Sequence, residues 1–202
     1  YPTPDIYTVN TPITQIGPTT LGGAVPATIF GSVSTFAGKG TQAGYNDATA
    51  TAALFTSLWG IDMDASGNLL VADGPYIRKI SPAAVVTTLA GGNPNGVSNG
   101  TGTAAGFGQT AGLAITPSGN IIVGDLLSKT FRQVTPGGTV TTFAGNGINN
   151  FDPVSLTSGA SGDLFVADQA SDIISDFTGG GNTSIIYSGA QGVTGSNNGN
   201  IA

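Results

Sequence analysis

Residues 60–91 read GIDMDASGNLLVADGPYIRKISPAAVVTTLAG, and residues 112–145 read GLAITPSGNIIVGDLLSKTFRQVTPGGTVTTFAG. The two segments start 52 positions apart and agree in their turns, their apolar runs and their closing Ala-Gly. Residues that serve catalysis need occur only once, whereas a phrase that recurs at near-constant spacing is a building block. The first half of the phrase returns as SLTSGASGDLFVAD from Ser155 to Asp168, and GVTGSNNGNIA begins a further copy at Gly192. The closing half stands ahead of the first unit as VSTFAGKG at Val33, and in worn form as TSIIYSGAQG from Thr183. Its glycines, Gly38, Gly91, Gly145 and Gly189, are 53, 54 and 44 residues apart.

Each unit reads as four short strands. In the first they are Gly60–Asp64, Leu69–Asp73, Tyr76–Ser81 and Val85–Ala90, divided by Ala65-Ser66-Gly67-Asn68, Gly74-Pro75 and Pro82-Ala83. NLLVAD and NIIVGD do not alternate, as expected of strands covered on both faces. YIRKIS and VVTTLA alternate more clearly and are placed toward the rim. Four antiparallel strands of graded burial, repeated around an axis, predict an all-β protein, a β-propeller of about three complete blades plus partial strands. Val33–Ala37 is read as one such lone strand, the fourth of a blade. The Gly/Thr/Ala-rich insertions KGTQAGYNDATATAALFTSLW and GNPNGVSNGTGTAAGFGQTA precede the first and second units. The aromatic near the end of each, Phe55 or Phe107, with Phe151 in the shortened third, is expected to plug the gap between blades.

Composition narrows the functional classes. The chain is 39% hydrophobic but only 8% charged, against roughly 25% in an average soluble domain. Thirty-three glycines and eleven prolines call for many turns. Three Lys and two Arg against a net charge of −6 give no basic footprint for nucleic acid or for an anionic membrane surface. No apolar run reaches the ~18 residues of a membrane span. Low charge with abundant Thr, Asn and Gly points to a bacterial protein that is secreted or held at the cell surface. The chain begins at Tyr1 without Met or signal peptide and is read as a mature or trimmed form.

The first unit resembles the NHL repeat, whose blades read G-h-A-h-D-x-x-G-N-h-h-V-A-D, then R-K-h-x-P, then V-x-T-x-A-G, with h apolar. The insertions make it similar to secreted multi-repeat proteins of Bacteroidetes-type bacteria. The resemblance covers about residues 31–202, in units of about 31–83, 84–138 and 139–181 and a partial unit at 182–202. Residues 1–30 resemble the start of a bacterial Ig-like module. NHL propellers usually close with six blades, so three plus pieces imply an incomplete or shared ring. The ring is completed by a longer chain, by blades of neighbouring copies, or by DIYTVN and ITQI near the N-terminus.

The chain has no His and no Cys. That removes Ser-His-Asp and Cys-His nucleophiles and His- or thiolate-bound zinc. The amidating and virginiamycin-type lyases, propellers expected to rely on histidines, are excluded as models for its chemistry. Asp73, Asp125 and Asp168 end the second strand of each unit; they are either calcium ligands or acceptors for backbone N–H groups, and the second reading is preferred. Of Asp62 and Asp64, one is expected to face the channel and the other to serve the Ser66-Gly67 turn, with metal binding the weaker alternative. Asn46-Asp47 and Asn149–Asp152 are oxygen-rich loops, read as solvated turns before cation sites. Arg78 and Lys79 are expected to solvate a rim strand. Asn99-Gly-Thr101 and Asn182-Thr-Ser184 fit the glycosylation triplet. Trp59, Tyr45 and Tyr76 are the candidates for a sugar-stacking platform; for Trp59, packing between blades is preferred.

The sequence therefore predicts no enzyme and no resident cofactor, calcium being the one weak alternative. It predicts an extracellular structural or binding propeller that self-associates through unpaired blade edges, as a filament or surface array. The expected partners are copies of itself, with protein or glycan ligands as alternatives and no nucleic acid. One further alternative is a fragment of a larger secreted propeller, and another a metal-dependent lyase or lactonase.

Overall fold

A computed structural model describes residues 33–93, 96–145, 152–178 and 183–188. The N-terminal segment 1–30, Phe151 and the partial unit after 188 lie outside the described residues. All the described strands belong to the compact unit Thr35–Ala202.

Three antiparallel sheets succeed one another along the chain. The first comprises β1 (Leu58–Met63), β2 (Leu69–Asp73), β3 (Tyr76–Ile80) and β4 (Val86–Gly91), in that spatial order. A two-residue strand, β5 (Gly100–Thr101), joins the outer edge of the second sheet. That sheet is β6 (Thr110–Ile115), β7 (Ile121–Asp125), β8 (Thr130–Val134) and β9 (Thr139–Ala144). The third is β10 (Pro153–Ser158), β11 (Leu164–Asp168), β12 (Ile173–Thr178) and β13 (Thr183–Ser188). The described helical structure is two single 3-10 turns, Ala50–Ala52 and Gly102–Ala104, one in each long insertion.

The repeated turn explains the repeated phrase. Gly67, Gly119 and Gly162 take φ of +77°, +83° and +92° between the first two strands of their sheets, a conformation that disfavours any residue with a Cβ. Each donates its N–H to the carbonyl three residues back, at Asp64, Thr116 and Gly159.

The first strands of the sheets, β1, β6 and β10, lie side by side. Their backbones approach closely: a Cβ on Gly60 would fall 2.7 Å from the Ala111 carbonyl oxygen, and one on Gly112 would fall 2.7 Å from the Ser155 Cα. Glycine at the third position of these strands is thus what lets the next sheet pack. The third sheet carries Ser155 at that position.

Two cores fill the junctions between sheets. Leu70, Ala72, Ile77 and Ala90 of the first sheet meet Leu113, Ile121, Val123 and Val140 of the second, with Phe107 of the insertion among them. Ile122, Phe131 and Ala144 of the second meet Leu156, Leu164, Val166 and Phe177 of the third, with the two phenylalanine rings 5.1 Å apart and edge-on. Each large apolar side chain buried this way contributes roughly 1.5–3 kcal/mol. On the opposite face of the first sheet, Val71, Ile80 and Val86 are covered by Ala48, Ala53 and Phe55 of the insertion and by Ala37 ahead of it. Phe107 thus plugs the gap between the first two blades, whereas Phe55 covers the outer face of the first sheet, with no second described sheet against it.

Two expectations are corrected. Val33–Ala37 is not a strand; no described strand lies beside it to complete a ladder. β3 is not a rim strand at Arg78, whose side chain is fully buried.

Candidate functional site

The acids expected at the strand ends fold back onto the chain that leads into their own sheet. Asp73 Oδ1 accepts the N–H groups of Thr56 and Ser57, at 2.8 and 2.9 Å, and the Thr56 hydroxyl. Asp125 accepts the N–H groups of Gly108, Gln109 and Ser128. Asp168 accepts those of Asp152 and Ala170. All three are buried, and each sits in a different sheet. Among the described residues no three acids gather into a set that could hold a metal ion.

Asp64 organises the turn after β1. Its Oδ1 accepts the N–H groups of Ser66 and Asn68, and both of its oxygens accept from the Asn68 amide. The Asn68 side chain, aided by these N–H groups, holds the Asp64 carboxyl below its ordinary value against partial desolvation. Asp62 has another task. Its Oδ1 accepts the N–H of Met63 at 2.7 Å and its Oδ2 that of Ile115 at 2.8 Å, tying β1 to β6 across the junction.

The buried arginines of β3 and β8 form a second repeated device. Arg78 donates to Asp73 Oδ2 at 3.0 Å, to Asp47 Oδ1 at 2.7 Å and to the Leu54 carbonyl, beneath the Phe55 ring. Asp47 is fixed in turn by the Thr88 N–H and hydroxyl. Burial pushes the Asp47 carboxyl up, but Thr88 and Arg78 together outweigh it and hold the group below its ordinary value. Arg132 instead meets the Ser98 and Gly106 carbonyls and Asn99 Oδ1, with Phe107 above it. Burial lowers its pKa, and Asp125 partly offsets this. Opposite Val166 the third sheet has Ser175 where the other two have arginine. Asp47, expected in a solvated turn, is instead the partner of a buried guanidinium. The usable signal was the register of the two insertions, which sets Asp47 and Asn99 alike ahead of an Ala-Ala pair.

The aromatic candidates are partly brought together. The Tyr45 and Tyr76 rings are 4.3 Å apart and tilted by 50°, with Tyr45 half exposed. Trp59 lies within β1, not ahead of it, and its Nε1 donates to the Ser57 hydroxyl. It is half exposed, with no second described sheet against it.

Trp59 belongs to an open apolar face. Ile61 is 62% exposed, whereas Leu113, at the same position of β6, is 4% exposed because it packs on the first sheet. Met63, Leu58 and Trp59 share this exposure. A cavity of about 530 Å³ opens beside them, lined by Leu58, Phe55, Thr56, Ala37, Lys39 and Gln42 among others.

No family model and no curated protein matches the chain. Solved structures do. An auxiliary nutrient binding protein from Bacteroides thetaiotaomicron is 18% identical at a TM-score of 0.50, over 57% of this chain and 36% of that one. A streptogramin B lyase is 17% identical at 0.48, over 64% and 39%. A gluconolactonase from Xanthomonas campestris is 13% identical at 0.47, over 61% and 44%. The fold is that of a β-propeller. The chain spans less than half the length of each of these proteins, and its three blades close no ring among the described residues.

The comparison corrects one expectation directly. Propellers similar in fold to this one include a lyase and a gluconolactonase, so the expectation that the chain is no enzyme does not stand. At these identities the fold alone is shared. Among the described residues no helix is long and apolar enough to cross a membrane.

Proposed function

We propose that the chain is an extracellular assembly and binding module of NHL type, which docks a further blade, that of a second copy, on the open face of β1. One observation carries the reading. Leu58, Trp59, Ile61 and Met63 are exposed at the positions where β6 has Thr110, Ala111, Leu113 and Ile115, which pack between blades. A contiguous apolar face on a chain with few charges is an interaction surface before it is anything else. The inner junctions supply the template: an inner strand laid close against its neighbour, with apolar side chains inserted into the adjoining sheet. Low charge and Thr/Asn/Gly-rich insertions support the extracellular setting.

Light scattering after size exclusion tests it. The expected result is a mass that rises with concentration above the 19.9 kDa of one chain, and that returns to one chain when Ile61 and Met63 are both changed to Asp. A single-chain mass at every concentration would sink the proposal. A second reading, glycan binding, is favoured by the half-exposed Tyr45 ring backed by Tyr76, since rings held in this way stack on sugar faces. It predicts that Tyr45→Ala abolishes retention on an immobilised polysaccharide while leaving the mass unchanged.

A further inference from the structure

We infer that the junction between the first and second blades is a binding site for a small monocarboxylate with an apolar body. A cavity of about 280 Å³ opens there. Leu70 and Leu89 of the first blade and Ile115 and Ile121 of the second form its apolar walls, and Asp64 and Lys79 are the charged groups of its lining. The Lys79 ammonium stands 3.9 Å from Asp64 Oδ2, and its side chain is 37% exposed. That distance is beyond hydrogen bonding. Asp64 takes its hydrogen bonds from Ser66 and Asn68 and offsets part of the Lys79 charge from 3.9 Å, which leaves the ammonium protons to a ligand. An ammonium with three donors to give, set over aliphatic walls, matches an anionic head on an apolar body.

The repeat supplies an internal comparison. The junction of the second and third blades has an equivalent cavity of about 310 Å³. There Thr116 stands for Asp64, Gln133 for Lys79, Ile122 for Leu70 and Phe143 for Leu89. The walls given by the earlier blade recur, Ser161 and Phe177 line the later-blade side in place of Ile115 and Ile121, and the charge is gone. Packing alone would be served equally by either set, whereas a ligand of defined charge is served only by the first.

Octanoate is the probe, with 1-octanol as its uncharged counterpart, each titrated into the full chain and followed by calorimetry. Octanoate is expected to bind the wild type, and Lys79→Met to weaken it about tenfold or more, the scale of one charge-assisted hydrogen bond. The affinity for 1-octanol should be the same in both. Gln133→Lys is expected to add a second octanoate site, and Ile61→Asp, on the open β1 face, to change nothing. The inference is overturned if octanoate does not bind, if Lys79→Met binds it as well as the wild type, if Gln133→Lys adds no site, or if Ile61→Asp removes the binding. None of these outcomes depends on whether the chain self-associates.

Discussion

Arg78 shows how a single side chain can lock a blade. A buried guanidinium is tolerated because two carboxylates and a carbonyl receive it, where an unpaired charge would be excluded. Asp47 is the accessible member of the set, with its side chain 46% exposed. Its contribution is therefore screened and amounts to about 1 kcal/mol. Its folded-state pKa lies below the ordinary 3.8. The stabilisation is accordingly complete above that ordinary value and is lost as pH falls through the depressed one. Asp47→Asn is expected to lower stability by about 1 kcal/mol at pH 7. The gap to the wild type should close below pH 3.8, as read from urea titrations at a series of pH values.

Among the strands, the decisive positions are the glycines of β1 and β6. Gly112→Ala would set a methyl group 2.7 Å from β10, forcing two sheets apart at a cost of about 1–3 kcal/mol; chemical denaturation would read it directly. Much of this architecture could be read in the sequence. β2 has the expected bounds, Leu69–Asp73, because a Gly-Asn turn and the Asp73 acceptor fix its two ends. Other features were hidden for physical reasons. Arg78 counts as polar in any alternation pattern, yet its partner Asp47 lies 31 residues upstream in a loop. The Tyr45–Tyr76 contact depends on how a glycine-rich insertion folds back. β1 begins at Leu58, inside what reads as the tail of that insertion, and its open face is a property of neighbours that no local pattern encodes.

At the scale of the molecule, the first and third described blades differ. β1 presents an apolar face with nothing described against it. The third blade carries Ser155 where Gly60 and Gly112 admit the next strand. A copy whose β1 approached β10 as β6 approaches β1 would meet that side chain, so head-to-tail growth is disfavoured. The wild-type mass should rise with concentration only as far as a small oligomer, and Ser155→Gly should carry it on toward larger species. Equal mass distributions for the two proteins would show that the third blade takes no part in docking.

The strand-end aspartates have a consequence in time as well as in space. Each closes the first hairpin of its sheet over only 16 or 17 residues. Short closures are reached early in folding, since little chain entropy is lost before the contact is rewarded. A chain emerging from the ribosome can therefore complete its first blade before the second has been made, and each finished blade then offers a surface for the next to fold against. The order of synthesis and the order of assembly coincide. The third blade, with Ser175 in place of a buried arginine, is expected to open more readily than the first two.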